Sequence, residues 1–348
     1  MAPGIGATTL RRLLEVFGTA RGILDASERE LGATLGTRAL AALRRGPTCA
    51  ELSAAHAWLR EPGHHVVCLA DPAYPSRLHN VPDAPALLYV AGDVALLDRP
   101  ALAIVGSRSP TPRGAADARA FAKALSDAGL CIVSGLALGV DAAAHRGGLD
   151  GLSSSIAVVG TGIDRIYPPG NARLAREIAE CGAIVSEFAL GTPPMRRNFP
   201  RRNRIIGGIG LGCLVVEAAM HSGSLITAKE AADYGRDVFA LPGSIHSPLS
   251  KGCHWLIKQG AKLVECADDV LQELGVAVAS ASQIAESRRA PADCEARLLE
   301  ALGTETLCVD VLCERTGLTA EVASAMLLTL ELDGYVARLA GGLYQSLH

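Results

Sequence analysis

The stretch ALAIVGSRSPTPRG, residues 101–114, joins a short apolar run, a glycine-serine-arginine turn and the start of a helical pattern. A strand that is buried on both faces of a sheet appears in sequence as a continuous apolar run, because crossover helices cover both faces. The stretch therefore predicts one strand–turn–helix unit of an α/β protein.

The same unit recurs through residues 99–275. Further apolar runs that end in Gly, Ser or Glu are LCIVSG, SIAVVG, AIVSE, CLVVE, DVFALPG and AKLVE. Helical patterns separate them, as at residues 112–128 and 225–234. This alternation predicts an α/β fold with a doubly wound, mostly parallel, Rossmann-like sheet. Ligands of such sheets bind beyond the carboxyl ends of the strands.

The flanking segments have different patterns. PGIGATTLRRLLEVFG, residues 3–18, is a glycine turn followed by an amphipathic helix. It resembles a helix-hairpin-helix (SAM-like) unit, although an ordinary helical hairpin is the favoured interpretation. Near the C-terminus, three helical patterns precede a hairpin that turns at Gly341-Gly342, an order that predicts a winged helix. The predicted division is a helical domain 1–60, a proline-rich extended connector 61–98, a Rossmann-like domain 99–275, a linker 276–292 and a winged-helix domain 293–348.

Composition narrows the possible functions. The 348 residues carry a formal net charge of −3, so any contact with nucleic acid must be a local patch. No apolar run approaches the ~18 residues of a membrane span, and no signal peptide opens the chain. The ten cysteines contain no C-x-x-C pair, which favours reduced, buried thiols over a metal site. We therefore expect a cytoplasmic protein without membrane contact, metal or cofactor.

One local patch stands out in MRRNFPRRNR, residues 195–204. It contains Phe199 and no acidic residue. Its five arginines are Arg196, Arg197, Arg201, Arg202 and Arg204. Cations that follow a phosphate backbone, beside an aromatic ring that stacks on a base, suit single-stranded nucleic acid. A solvated or internally paired cluster is the competing interpretation.

Two further turns suit anions. Arg108 directly follows the strand end at Gly106-Ser107, where a guanidinium can bind a phosphate with two hydrogen bonds. The turn Ser222-Gly223-Ser224 precedes a predicted helix, whose first amides are free to bind an anion. A structural ion pair of Arg108 remains an alternative.

Catalytic and nucleotide-binding motifs are poorly represented. The chain lacks a complete G-x-G-x-x-G, because Arg165 stands where the third glycine would be, and it also lacks a P-loop and a G-x-S-x-G elbow. Asp141 and His145 can be catalytic, but a helix-start carboxylate and a packed imidazole are favoured. Asp164 and Tyr167 carry the same ambiguity.

At the level of ordered motifs, residues 74–275 resemble the DprA/Smf family of bacterial DNA-processing proteins. The matching strings include IVGSRSPTPRG, VSGLALGVDAAAHRGGL, IAVVGTGIDRIYPPGN, NFPRRNRIIGGI and GCHWLIKQGA. The resemblance implies a protein that binds and protects single-stranded DNA, forms homodimers and helps to load the RecA recombinase during natural transformation. It implies no enzymatic activity.

The resemblance also implies site residues. The key arginine of the family falls on Arg108, with Gly106 and Ser107 in its turn; a basic residue falls on Arg196 and the motif aromatic on Phe199. The family's serine turn falls on Ser222, Gly223 and Ser224. Arg201 belongs to the same predicted site, while Arg202, Asn203 and Arg204 match a family string that can instead hold the loop. We expect the five arginines and Phe199 to form one wall of a groove, and Arg108 and the serine turn to form the other. The segment GGIGLG, residues 207–212, is richer in glycine than the family pattern.

Two other functions compete with DNA binding. One is a nucleotide-phosphate-binding enzyme of the lysine-decarboxylase-like Rossmann group, although the P-G-G-x-G-T-x-x-E motif of that group is absent. The other is an interaction scaffold. The third helix of the predicted winged helix has no Lys or Arg, so we expect it to contact protein rather than duplex DNA.

Overall fold

The computed structural model describes residues 5–276, 293–332, 334–339 and 341–347. Pro3 and Gly4 of the predicted glycine turn and nearly all of the predicted linker lie outside these ranges. Five helices occupy the described residues before 60: α1 (Ala7–Phe17), α2 (Ala20–Asp25), α3 (Glu28–Gly32), α4 (Thr37–Arg45) and α5 (Cys49–Leu59). Helix α3 begins with a capping box in which Ser27 and Glu30 satisfy each other's backbone amides.

The large central sheet contains nine strands among the described residues. They are β1 (His64–Cys68), β2 (Leu87–Gly92), β3 (Ala101–Val105), β4 (Cys131–Ser134), β5 (Ser155–Val158), β6 (Ala183–Ser186), β7 (Gly212–Val215), β8 (Asp237–Ala240) and β9 (Lys262–Leu263). Their order across the sheet is β1-β2-β6-β5-β4-β3-β7-β8-β9. All pairs from β6 to β9 are parallel, which confirms the predicted mostly parallel sheet.

Strands β1 and β2 lie in the segment 61–98 that was predicted as an extended connector. They pair antiparallel with each other, and β2 pairs antiparallel with β6, so this segment extends the sheet. The sequence prediction missed them because the prolines dominate the pattern. Those prolines, at 72, 75, 82 and 85, lie in the loop between the two strands and leave both ladders intact.

Helices cover both faces of the sheet. Helices α6 (Pro112–Asp127), α7 (Val140–Asp150), α8 (Ala172–Cys181) and α12 (Ala267–Glu273) pack on one face. Helices α9 (Asn198–Ile209), α10 (Gly223–Asp233) and α11 (Lys251–Lys258) pack on the other. Strand β3 is buried on both faces, since Ala103 and Val105 face one core and Leu102 and Ile104 the other.

The glycine-rich segment after the arginine run supports close helix packing. A Cβ at Gly207 would lie 3.2 Å from the backbone nitrogen of Ala231 in α10, and a Cβ at Gly208 would lie 2.7 Å from side-chain carbons of Leu78 and Val81. Side chains at these positions would push α9 away from its neighbours. The glycines therefore let the helix that carries the arginines pack closely against α10 and against the segment that holds Leu78 and Val81.

Chain order reverses at β3. From β3 the chain builds outward through β4, β5 and β6, and then returns through α9 to place β7 on the opposite side of β3. Connections on the two sides lead in opposite directions, so a crevice opens at the carboxyl ends of β3 and β7.

The C-terminal residues form the predicted winged helix. It contains α13 (Asp293–Leu302), β10 (Thr306–Cys308), α14 (Val309–Thr316), α15 (Ala320–Leu332), β11 (Val336–Leu339) and β12 (Leu343–Ser346). The three strands pair in the order β10-β12-β11, and the hairpin turns at two glycines with φ of +84° and +73°. Only the short strand β10 was not predicted.

Candidate functional site

The turn after β3 is held rigidly and presents Arg108. A Cβ at Gly106 would lie 2.8 Å from Val140, so only glycine fits where the turn crosses the start of α7. The Ser107 carbonyl accepts a 3.0 Å hydrogen bond from the Val140 amide, and the Ser107 hydroxyl accepts a 3.1 Å bond from the Ser109 amide. Both polar groups of Ser107 are thus used within the turn, and the exposed side chain of Arg108 points away from it.

The second half of the arginine run is helical, because α9 starts at Asn198. The buried Asn198 amide donates a 3.1 Å hydrogen bond to the Gly160 carbonyl at the end of β5. Pro200 is tolerated, since a proline in the first helical turn removes no intrahelical bond. A Cβ at Gly160 would lie 2.9 Å from the Phe199 ring, so glycine leaves room for the ring at this strand end.

Arg108 and Phe199 meet in one cleft, although they are far apart in sequence. The Arg108 Cζ lies 5.9 Å from the centroid of the Phe199 ring, and the Tyr167 ring lies 5.7 Å from it. We call this space the Phe199 cleft. It is lined by Arg108, Gly135, Ala137, Leu138, Tyr167, Pro168, Phe199 and Arg202. No ion pair holds Arg108 within the described part of the chain, so its charge faces the cleft.

Part of this lining was not predicted. Leu138 is 50% exposed and Tyr167 is 43% exposed, so both leave apolar surface accessible in the cleft. The signal was present in the sequence for Gly135, which directly follows β4. Leu138 and Pro168 carry no chemical signal of their own, and only the fold brings them beside Phe199.

Arg202 lies at the base of the Phe199 cleft. Its guanidinium is buried, donates a hydrogen bond to the Val158 carbonyl and occupies space that a side chain at Gly135 would fill. Burial lowers the pKa of Arg202 to about 10, so it remains charged at neutral pH. The Nε donor has no protein partner, and no described carboxylate forms an ion pair with this side chain. The base of the cleft therefore holds a buried guanidinium, and the nearby Asp141 carboxylate partly offsets the effect of burial on its pKa.

Arg201 and Arg204 face away from the cleft. The Glu187 carboxylate, which follows β6, accepts a 2.7 Å bond from Arg201 Nη2 and a 2.6 Å bond from Arg204 Nη2. Arg204 also lies 3.6 Å from Asp83. Residues three apart share one helix face, so both guanidiniums converge on a single buried acid.

The prediction that all five arginines form one wall is therefore corrected. Arg202 and Arg204 are each 4% exposed, and Arg201 is tied to Glu187. Arg196 and Arg197, which precede α9, are exposed. The sequence pattern failed here because the partner acid lies outside the run and meets it only in three dimensions. Asn203 is half-buried on α9.

The Ser222–Ser224 turn caps helix α10. The Ser222 hydroxyl accepts a bond from the Ser224 amide and lies 2.6 Å from the Ser224 hydroxyl, so the two side chains satisfy each other. Gly223 is exposed, with no atom near its Cβ position. Within the described chain, no hydrogen bond or ion pair joins the turn to Arg108 or Phe199. Its role as an opposite wall stays a prediction.

The other candidate catalytic groups are used inside the fold. The Asp141 carboxylate accepts 3.2 Å bonds from the amides of Gly135 and Ala137, and it thereby shapes the loop under the cleft. His145 is fully buried, with its Nδ1 2.7 Å from the Ser155 hydroxyl; burial lowers its pKa to about 3. Asp164 accepts two bonds from the Gly191 amide.

The crevice between β3 and β7 is closed by Glu217. Its carboxylate accepts a 2.9 Å bond from the Thr111 amide and a 2.7 Å bond from the Thr111 hydroxyl, at the N-terminus of α6. A side chain at Gly114 would collide with the same carboxylate. An acidic side chain of the protein thus holds the position at which a phosphate would bind to this helix end.

Within the described residues, no group of three or more His, Cys, Asp or Glu side chains is arranged to hold a metal ion. Among the same residues, no helix combines the length and the apolar character needed to cross a lipid bilayer.

The family model of DNA recombination-mediator protein A matches residues 65–275, and a model of the DprA winged helix domain matches residues 282–342. The chain belongs to the DNA recombination-mediator protein A family. The matched range contains β1 and β2 as well as the parallel strands, so the family domain includes almost all of the nine-stranded sheet.

Relatives of this DprA family support the same assignment. Protein Smf of Escherichia coli is 43% identical over 82% of this chain and 78% of its own length. The crystal structure of DprA from Streptococcus pneumoniae has a TM-score of 0.70 and 39% identity, and covers 78% of this chain and 94% of that one. A structure that describes the single-stranded DNA binding mode of Helicobacter pylori DprA has a TM-score of 0.55 and 32% identity, and covers 60% and 95%.

Proposed function

We propose that this protein binds single-stranded DNA in the Phe199 cleft. The observation that carries the proposal is the convergence of two cations and two aromatic rings at the carboxyl ends of the parallel strands: Arg108, Arg202, Tyr167 and Phe199. The exposed Arg108 guanidinium can bind a phosphate, the buried Arg202 adds its charge beneath the cleft, and a base can stack on a ring, a contact worth about 1–3 kcal/mol. The H. pylori relative, whose structure concerns single-stranded DNA, supports the choice of ligand.

Binding of this kind depends little on sequence. The cleft offers charge and ring faces, which every nucleotide can use, rather than a set of donors matched to one base. Arg196 and Arg197 continue the positive surface beside α9. Affinity should fall with salt, because each neutralised phosphate releases counterions.

We propose further that the protein works in the cytoplasm as a homodimer, protects incoming DNA and helps to load RecA recombinase during natural transformation, without catalysing a reaction. Membership of a family described as a recombination mediator supports this wider role. The match of residues 282–342 to the DprA winged helix domain supports the presence of the second domain of that family.

The nucleotide-binding alternative has less support. A nucleotide phosphate at the switch point would have to displace the Glu217 carboxylate from the amide and hydroxyl of Thr111. The Gly160 turn is likewise covered by the ring of Phe199. Neither turn of the sheet leaves a free phosphate cradle of the type that the alternative requires.

The test is fluorescence anisotropy of a labelled oligo-dT, titrated at two salt concentrations with the wild-type protein and with Arg108→Ala. A hydrogen bond to a charged group contributes about 1.5–3 kcal/mol, so we expect about tenfold or greater loss of affinity. The dependence of log K on log salt should become shallower by about 0.7, the value for one phosphate of a single strand. Arg196→Ala should act in the same direction.

A matched control is Arg176→Ala, which removes an exposed arginine from α8 outside the Phe199 cleft. A mixed-sequence oligonucleotide should lose affinity in parallel with oligo-dT. Failure of the wild-type protein to bind either oligonucleotide would overturn the proposed function.

A further inference from the structure

A second cleft lies on the helical layer formed by α6, α7 and α8. It has a volume of about 380 Å³. Its lining is Arg119, Arg146, Leu149, Asp150, Gly170, Arg173, Leu174 and Glu177. We call it the arginine cleft, because three of these eight residues are arginines from three different helices. None of its residues belongs to the Phe199 cleft.

Two of the three guanidiniums are held in place by carboxylates. Arg119 contacts Asp150 through Nη2 at 2.6 Å, and Arg173 contacts Glu177 through Nε at 2.8 Å. Both pairs are solvent-exposed, with 56% of the Arg119 side chain and 92% of the Arg173 side chain accessible. Exposed pairs of this kind are weak, so an incoming phosphate can share these guanidiniums with the acids.

Arg146 is different, because no described carboxylate forms an ion pair with it. It projects from α7 as an exposed side chain between the two paired arginines. The lining therefore contains three guanidiniums and two carboxylates, an excess of one positive charge that is centred on Arg146. A guanidinium fork without a carboxylate suits a phosphate oxygen pair.

The two clefts are neighbours. Leu138 lines the Phe199 cleft and Gly170 lines the arginine cleft, and a Cβ at Gly170 would lie only 3.8 Å from Leu138 Cδ2. Gly170 has no side chain to raise a barrier there. A chain that leaves the Phe199 cleft over Leu138 meets the arginine cleft next.

We propose that the arginine cleft binds the phosphate backbone of the same DNA strand after it leaves the Phe199 cleft. This inference rests on the proposed function, and it adds a second contact that only a longer strand can reach. It predicts that a long oligonucleotide binds more tightly than a short one, and that Arg146 contributes to this additional affinity.

The experiment compares a short oligo-dT that fills the Phe199 cleft with a long one that also reaches the arginine cleft, using anisotropy at two salt concentrations. Arg146→Ala should weaken binding of the long strand about threefold to tenfold and flatten its salt dependence by about 0.7. The short strand should bind Arg146→Ala as it binds the wild type. Arg176→Ala, with the same charge change on α8 outside the cleft, should leave both strands unaffected.

Equal behaviour of Arg146→Ala and Arg176→Ala toward both lengths would overturn the inference and leave the cleft open to another anionic partner. An equal loss for both lengths would also overturn it, because Arg146 would then act on the first contact. Arg108→Ala tests the first contact separately, because it should weaken binding of both the short and the long strand. If the wild type binds neither strand, the proposed function fails and this inference fails with it.

Discussion

The two halves of the arginine run have opposite environments. Arg196 and Arg197 precede α9 and are exposed, whereas Arg202 and Arg204, a few residues further on, are each 4% exposed. Arg196 and Arg197 lie before α9, whereas Arg202 and Arg204 project from the helix into the interior, where Arg202 meets the Val158 carbonyl and Arg204 meets Glu187. A dense run of one charge therefore combines exposed residues with buried residues that hold the scaffold.

The buried half connects several elements. Glu187 forms ion pairs with Arg201 and Arg204, and Arg204 Nε lies 3.6 Å from the Asp83 carboxylate. Asp83 in turn accepts a 2.7 Å bond from the Thr8 hydroxyl of α1. One chain of polar contacts thus runs from the end of β6 through α9 to the N-terminal helices.

The largest expected effect is on stability, from Arg204→Ala. Removing one partner of a buried ion pair costs about 3–5 kcal/mol, because the remaining charge stays buried. Arg201 still contacts Glu187, so we expect a loss near the lower end of that range in urea unfolding. The matched variant Arg196→Ala should stay within about 0.5 kcal/mol of the wild type. Indistinguishable midpoints for the two variants would contradict the division of the run.

A smaller effect is expected from Phe199→Ala, which separates stacking from charge. Loss of the ring should weaken oligo-dT binding by about 1–3 kcal/mol. The salt dependence should stay that of the wild type, because no phosphate contact is removed. Phe199→Trp should retain most of the affinity, since it keeps an aromatic face. A shallower salt slope in Phe199→Ala would show that the ring acts by positioning Arg108 instead.

The smallest effect concerns a carboxyl group that Arg204 does not bind. Burial raises the pKa of Glu230 from 4.5 to about 7, although the charge of Arg204 opposes the shift. The folded state then holds a proton that the unfolded state releases, so stability is highest below about pH 4.5 as far as this group is concerned and declines as pH rises through 7. In Glu230→Gln this decline should be absent, as measured by urea midpoints at pH 5 and pH 8. An identical pH profile in the variant would contradict this assignment.

Much of the scaffold was predictable, because strands that are buried on both faces have continuous apolar sequences. All seven runs from Ala101 onward proved to be strands of one sheet. Arg108 and Phe199 were identified by chemistry, and the fold brings them within 5.9 Å. Strands β1 and β2 were missed because the prolines between them dominate the pattern, and β1 adds only HHVVC, which has no distinctive alternation.

The orientation of the arginines was not predictable from local pattern. It depends on Glu187, which is separated from Arg204 by a loop and nearly two turns of α9. The residues between them contain no acid. The single carboxylate of Glu187 pairs with the guanidiniums of Arg201 and Arg204 and thereby sets their orientation. Tertiary partners of this kind leave no periodic signal in the sequence. The density of arginines alone therefore overstated how many of them are exposed and unpaired.

Glu217 competes with free nucleotides for the N-terminus of α6, because it already binds Thr111 there. A carboxylate built into the chain behaves as a tethered ligand, which occupies the start of α6 at a high effective concentration. Free mononucleotides then gain little by competing for that helix end. The fold keeps the strand order of a nucleotide-binding sheet, and under the proposed function DNA binds at a neighbouring strand end, where it does not have to displace Glu217.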